Sequence, residues 1–480
     1  MEIINNYING TFELPKNGTY LDNFEPATGL VYSKIPNSEL ADIDAAVVAA
    51  QNAWEGWKNL SNDDRCTWIE KIADGIENRI DEFAMAESKD NGKPISLARS
   101  VDIPRAISNF RFFAKAVTQW SSESHHMVSV GINYTLRQPI GVVGCISPWN
   151  LPLYLLTWKI APALATGNTV IAKPSEVTPY TAFLLSDVCR EIGLPAGVLN
   201  LVHGTGSEVG EAICTHPTIK AISFTGGSST GKRIASVAAP MFKKLSLELG
   251  GKNPNIIFAD CNYDKMLATT LRSSFSNQGQ ICLCGSRIFI ERPLYDRFKT
   301  DFVAAVKTLQ IGDPNHVSTN IGAVVSESHM DKIISYINLA KHEGGTILCG
   351  GTRAKVEERC ASGWFIYPTV IEGLDYTCRT NQEEIFGPVV TLTPFDTEEE
   401  VVQYANSTTY GLAATVWTEN LSRAHTIADV LDFGIIWINC WMVRDLRTPF
   451  GGVKSSGVGR EGGVEALRFF TEAKNVCIAY

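Results

Sequence analysis

IGVVGCISP (residues 140–148), NTVIAKPS (168–175), GVLNLVHG (197–204) and IKAISFTGG (219–227) are four short apolar runs separated by stretches with helical character. One intervening helix is predicted over Thr178–Ile192, with Thr178 as N-cap, Pro179 at the first helical position and Gly193 just past the end. Ser207–Cys214 supplies another. Apolar strands alternating with helices imply a parallel sheet covered on both faces, and such sheets bind ligands at the carboxyl ends of their strands. The loops that follow these strands are where chemistry is sought.

Outward from this core, PNIIF (254–258), a helix over Asp264–Phe275, SRIFIE (286–291), a helix over Leu294–Leu309 and strands near Val389 and Ala414–Thr418 repeat the α/β pattern. A second α/β unit is therefore expected, packed against the first with the active site in the cleft. The first 120 residues read mainly as helices, with apolar residues at helical spacing over Asp42–Trp57 and Asp63–Phe83. Between Ser121 and Arg137 the chain turns polar and then alternates through Val128, Val130, Ile132, Tyr134 and Leu136, the period of a half-exposed strand.

A length of 480 residues calls for two or more domains, and 45% hydrophobic with 19% charged residues is the balance of a globular chain. The net charge of −9 disfavours nucleic acid as a partner, and no stretch approaches the apolar length of a membrane span. The N-terminus lacks the features of a signal peptide, so a cytoplasmic protein is expected. The 12 cysteines form no CxxC pair and meet no histidine at zinc-ligand spacing; no metal site is expected, His125 and His126 included.

The most informative stretch is FSNQGQICLCGSR (275–287). A helix ends near Ser276, Gly279 permits a tight turn, and Cys282 follows on a short loop before a strand. Together with SPWN (147–150), KPSE (173–176), SFTGG (223–227), LELGGKNP (247–254), EEIFGP (383–388) and PFGG (449–452), in that order along essentially the whole chain, it resembles the aldehyde dehydrogenase superfamily. The resemblance implies an α/β fold with a Rossmann-like NAD-binding domain (residues 1–120 and 140–250), a catalytic domain (251–450) and a small β oligomerisation element (121–139 and 465–480). It also implies Cys282 as nucleophile, Asn150 as an oxyanion donor beside the Cys282 backbone N–H, and Glu248 as the general base that hydrolyses the thioester. Cys284 is read as a packing residue. A thiolate adding to an aldehyde forms a tetrahedral oxyanion, and a desolvated carboxylate can activate water, so the chemistry needs these groups.

NAD is the cofactor that the resemblance implies. Lys173 and Glu176 match residues that bind the adenine ribose, and the Glu176 carboxylate would repel a 2′-phosphate, favouring NAD over NADP. Glu384 and Phe386 match residues at the nicotinamide ribose and ring. The remaining expected lining is Ile146, Ser147, Pro148, Trp149, Ser175, Gly206, Phe224, Thr225, Gly226, Gly227, Leu249 and Gly250. No GxGxxG fingerprint is present, and GTGSEVG (204–210) is only related to it. Gly226–Lys232 fits GxxxxGK, but Arg233 stands where a phosphate loop needs a hydroxyl for magnesium, which argues against the phosphotransferase alternative.

Substrate choice is expected in NCWMVRDLRTPFGG (439–452), whose arginines suit a carboxylate. This loop, SVDIPRAISNFRFFA (100–114) and residues 147–176 resemble the 2-aminomuconic and 2-hydroxymuconic semialdehyde dehydrogenases. In that group arginines matching Arg105 and Arg444 are expected to hold the substrate carboxylate, with Leu156 beside them; Arg447 and Arg111 are read as a surface charge and a structural residue. The implied reaction is oxidation of a muconate-type semialdehyde to a dicarboxylate. Glutamate, succinate and betaine semialdehyde-type substrates are the alternatives, and the choice between amino and hydroxy forms stays open. The segment near 121–139 and ALRFFTEAKNVCIAY (466–480) match the family's oligomerisation elements, for a homodimer or homotetramer.

Overall fold

The computed structural model describes residues 1–480. The four apolar runs become the strands Val142–Ile146, Thr169–Lys173, Leu199–Leu201 and Ala221–Thr225, and every one of their residues is buried. That is the pattern of a sheet covered on both faces. With Lys244–Glu248 they pair in parallel, in the order Lys244–Glu248, Ala221–Thr225, Val142–Ile146, Thr169–Lys173, Leu199–Leu201. The helix Pro152–Ala165 is apolar but for Thr157 and Lys159 and buried along its whole length, which anchors the sheet to the helical layer formed by Asn62–Asn78 and Ile103–Thr118.

The second sheet has seven strands, ordered Thr346–Cys349, Thr369–Glu372, Val389–Phe395, Arg287–Glu291, Pro254–Ile257, Ala413–Trp417 and Ile435–Ile438, parallel except for the first pair. The strand Lys244–Glu248 of the first sheet and Pro254–Ile257 of the second are consecutive, so the LELGGKNP run crosses from one sheet to the other. After PFGG the chain returns to the first sheet, where Gly457–Val458 pairs with Lys244–Glu248 and Ser456 hydrogen-bonds Leu249 N–H and the Gly250 carbonyl. A third sheet joins Thr471–Ala479, Gly131–Pro139 and Ser124–Met127, and its outer strands are mostly exposed. No helix is long and apolar enough to cross a membrane.

Several local expectations need correction. The first 36 residues are not helical: they form five short strands, of which Asn6–Ile8 and Thr11–Glu13 extend the first sheet to eight strands. Their runs are too short for periodicity to reveal, and long-range pairing decides them. The helix expected over Asp63–Phe83 is two, Asn62–Asn78 and Ile80–Asn91, broken at Arg79, whose φ of −117° is non-helical. The alternating run near residue 130 is a hairpin, since Ser129 takes φ 58° and turns the chain between two strands. The helix assigned to Thr178–Ile192 runs from Tyr180 to Glu191, with Pro179 rather than Thr178 at its N-cap. Ser207–Cys214 divides into a π-helical turn over Gly206–Gly210, capped by Thr205, and a short helix Glu211–Thr215.

The helix Tyr263–Phe275 delivers the chain to the Cys282 loop, and its last residue packs on an aromatic stack. The Phe302 ring lies 6.2 Å from Phe275 and 5.1 Å from Phe298, nearly parallel to both. Phe302→Ala is expected to cost about 3–5 kcal/mol, read as a clear fall in the thermal unfolding midpoint. An unchanged midpoint would contradict the role given to this stack.

Candidate active site

The residues before Cys282 form a turn that the backbone resists. Asn277, Gln278 and Gly279 have φ of 51°, 56° and 71° in succession. Only Gly279 adopts the left-handed region freely; each of the other two costs about 1–2 kcal/mol. Side chains hold the turn. Asn277 Nδ2 donates to the Asn150 carbonyl at 2.9 Å, Gln278 Nε2 to the Ala323 carbonyl at 2.7 Å, and Gln280 Oε1 accepts from Val325 N–H at 3.1 Å. Gly279 is also required by space, because a Cβ there would stand 2.2 Å from the Gly387 carbonyl oxygen. Beyond the turn, Asn253 Nδ2 donates to the carbonyls of Cys282 and Cys284 at 2.7 and 3.0 Å, fixing the loop from the opposite side.

Cys282 is reached from the cleft but is largely desolvated. Burial raises its thiol pKa well above the usual range, and the carboxylates of Glu384 and Glu248 add to the rise. Asn150 is buried at the end of the ISPWN turn. Its own carbonyl accepts from Asn277 Nδ2, Lys93 Nζ and Asn91 Nδ2, and its side-chain amide donates to the Gln280 carbonyl at 3.0 Å. An amide has two hydrogens, so one N–H remains for a ligand.

Glu248 ends the strand Lys244–Glu248, buried, and neither carboxylate oxygen has a hydrogen-bond partner. Burial, and then the neighbouring Glu461, raise its pKa well above the usual carboxylate range, against the opposing charges of Lys159, Arg460 and Arg444. Gly451 of PFGG makes room for it: a Cβ there would lie 2.5 Å from Glu248 Oε1. Behind it, Lys159 and Glu461 form a buried ion pair at 2.6 Å.

Two hollows follow the carboxyl ends of the first sheet. One of about 240 Å³ is lined by Pro148, Trp149, Asn150, Thr225, Gly226, Gly227, Leu249, Gly250, Cys282, Glu384 and Phe386. The other, about 700 Å³, includes Ile146, Glu176, Gly206 and Phe224. Ser147, Lys173 and Ser175, also expected in the lining, are buried and line neither hollow. Lys173 Nζ donates to Glu176 Oε2 at 3.0 Å; although burial would raise the Glu176 pKa, this lysine and the surrounding hydrogen bonds bring it below its ordinary value. Ser147 Oγ and Thr225 Oγ1 are buried without partners, which suits a polar ligand. The helix Ser228–Ala238 opens here with Gly227 at its N-cap and no side-chain cap, leaving N–H groups available for an anion. Lys232 of the GxxxxGK run is exposed, a turn into that helix.

On the other face of the loop, a funnel of about 490 Å³ is lined by Leu151, Tyr154, Ile281, Trp441, Arg105 and Arg444, among others. Arg444 donates to the Tyr154 hydroxyl and lies 4.1 and 4.3 Å from the Phe450 and Trp158 ring centres, while its Nη2 is buried without a partner. Leu156 does not reach the funnel. It is fully buried in the core around the helix Pro152–Ala165, whose Tyr154 presents the face that does. Arg447 is exposed and pairs with Asp445, and Arg111 pairs with Asp74 and Glu77. Cys284 is buried in an apolar cluster.

Sequence reasoning passed over His329 and Lys332, which line the smaller hollow. The His329 ring stands edge-on to Trp149 at 5.0 Å and bonds the Phe386 carbonyl at 2.8 Å. Burial lowers its pKa to about 4, so it is neutral. They belong to a helix far from any recognised motif, Glu327–His342, and no local pattern distinguishes them from its surface residues. Asn253 was visible within LELGGKNP but not its anchoring bonds.

Residues 14–476 match the aldehyde dehydrogenase family. The chain is 50% identical to the 2-aminomuconic semialdehyde dehydrogenase of Bos taurus, with 100% of this chain and 98% of that protein covered. It is 47% identical to the 2-hydroxymuconic semialdehyde dehydrogenase of Pseudomonas sp. (strain CF600), with both chains fully covered (100% each). Among solved structures, the NAD+ complex of an aldehyde dehydrogenase from Bacillus cereus superposes with a TM-score of 0.96 at 39% identity, covering 100% of this chain and 97% of that one. A strained turn presenting a desolvated thiol, with an amide in the same hollow and a buried carboxylate within electrostatic reach, fits that company, and the chain belongs to the aldehyde dehydrogenase family.

Proposed function

We propose that the protein oxidises a muconic-type semialdehyde, 2-aminomuconic or 2-hydroxymuconic, to the dicarboxylic acid with NAD. The observation that carries the substrate reading is the funnel on the far side of the Cys282 loop, where Arg444 keeps a buried, unpartnered Nη2 and Arg105 has no acidic partner. A buried donor without a partner is costly unless a ligand satisfies it, and a guanidinium matches a carboxylate in shape and charge. The semialdehyde relatives support the same reading.

In this reading Lys173 and Glu176 hold the adenine ribose, the N-terminus of the helix Ser228–Ala238 faces the pyrophosphate, and Glu384 and Phe386 hold the nicotinamide end. When bound, NAD supplies the two-electron acceptor and a cationic ring that favours the thiolate. Cys282 Sγ adds to the aldehyde carbon, and the new oxyanion takes hydrogen bonds from the free Asn150 amide N–H and the Cys282 backbone N–H. Once oxidation has given the thioester, Glu248 takes a proton from water, which attacks the acyl carbon and releases Cys282. The unpartnered Glu248 oxygens leave the carboxylate free to bind that water.

We place the protein in the cytoplasm, in keeping with its 12 free cysteines. The exposed sheet of Gly131–Pro139 and Thr471–Ala479 is the element through which it would form a homodimer or homotetramer.

Three outcomes are expected. Because the Glu248 pKa is raised, its basic form grows as pH rises, so kcat should climb through that raised value when hydrolysis limits turnover. Glu248→Gln should lower kcat by about 10²–10⁴ and flatten the climb; a variant keeping both rate and profile would exclude it as the base. Arg444→Ala should raise KM for a carboxylate-bearing aldehyde far more than for a neutral one, followed by NADH absorbance, and equal effects would remove the anchor role. Glu176→Gln should improve kcat/KM for NADP about tenfold, whereas an unchanged cofactor ratio would sink the selectivity argument.

A further inference from the structure

The arginines singled out in the sequence are not alone in the funnel. Arg272, on the helix Tyr263–Phe275 and one turn before its end, lines the same funnel as Arg105 and Arg444. Its guanidinium lies 5.9 Å from the Trp441 ring centre, and the side chain forms no ion pair. Unlike the other two it is exposed, so it stands at the outer rim. It also borders a neighbouring hollow of about 350 Å³ lined with Ser96, Ser100 and Asn320. The funnel's one acidic lining residue, Asp102, pairs from behind with the buried Lys93, which also meets the buried Glu87 at 3.4 Å. Three arginines, none of them in an ion pair, therefore line one opening against a single lysine-paired carboxyl, on a chain whose net charge is −9.

We propose that Arg272 is a capture residue for anionic aldehydes: it draws the carboxylate to the rim and passes it inward to Arg105 and Arg444. This rests on the reading of the funnel given above. A cleft lined by one sign of charge concentrates counter-charged ligands, and with low-dielectric walls the effect is amplified. An exposed charge is screened at a Debye length of about 10 Å in 0.1 M salt and about 3 Å in 1 M. Arg272 should consequently contribute to the encounter and respond to salt, whereas Arg444, half-buried between aromatic rings, should contribute to binding and respond less. Asp102 opposes the rim arginines only weakly, because it is buried and paired internally with Lys93.

The test compares wild type, Arg272→Gln, Arg272→Lys and Arg444→Ala with a muconic-type semialdehyde and with a neutral aldehyde, at low salt and at 0.5–1 M salt. At low salt Arg272→Gln should lower kcat/KM for the anionic aldehyde about three- to tenfold, with kcat and the neutral aldehyde's kcat/KM within twofold of wild type. The deficit should shrink at high salt, and Arg272→Lys should retain most of the wild-type value. Equal losses on both aldehydes, a loss that salt does not change, or no loss at all would overturn the capture role. If instead wild type shows no preference for the anionic aldehyde and Arg444→Ala changes nothing, the substrate reading itself fails. If those two hold while Arg272→Gln behaves as wild type, only the inference about Arg272 falls.

Discussion

A thiol and a carboxylate are kept out of water within electrostatic reach of each other, without a counter-charge in contact with either, and the rest of the structure follows from that constraint. Desolvation makes both groups resist ionisation, and their charges resist each other. Such an arrangement is unfavourable in an empty cleft and useful in one where a cationic ring and a developing oxyanion are about to appear. The charges that offset it stand one layer back, in Lys159, Arg460 and Arg444.

The strain in the turn before Cys282 serves the same end. Two non-glycine residues in the left-handed region are held by their own amide side chains and that of Gln280, which bond to two separate parts of the chain: the ISPWN turn and the segment 323–325. The position of the thiol is therefore set by both sheets at once. Asn150 is tied to the same turn, so the Cys282 thiol and the Asn150 amide are registered to each other. The smaller hollow borders this loop at Cys282 and the arginine funnel borders it at Ile281.

Four of the five parallel strands of the first sheet were legible in the sequence because each is a short apolar run bounded by turn residues, and all four appear where those runs stand. The N-terminal strands were not, since runs as short as Asn6–Ile8 acquire their identity from pairing with Leu199–Leu201 far along the chain. Cys282, Asn150 and Glu248 could be singled out only through several motifs taken together, because a lone cysteine among 12 carries little information. Leu156 shows the limit of inference from a matched segment: on a helix buried on all sides, the sequence does not say which face meets the funnel. His329, Lys332 and Arg272 reach the site from helices whose own sequences are unremarkable, and only the tertiary fold brings them there.

The most direct measurement is the pH dependence of Cys282 alkylation by a small neutral electrophile, with the modified peptide identified by mass spectrometry, in wild type and Glu248→Gln without cofactor. The account predicts a wild-type midpoint above the free-thiol value of about 8.5, and a lower one in the variant, where the neighbouring negative charge is gone. A wild-type midpoint at or below the free-thiol value, unmoved by the substitution, would contradict the claim that a desolvated thiol and carboxylate stand within electrostatic reach of each other.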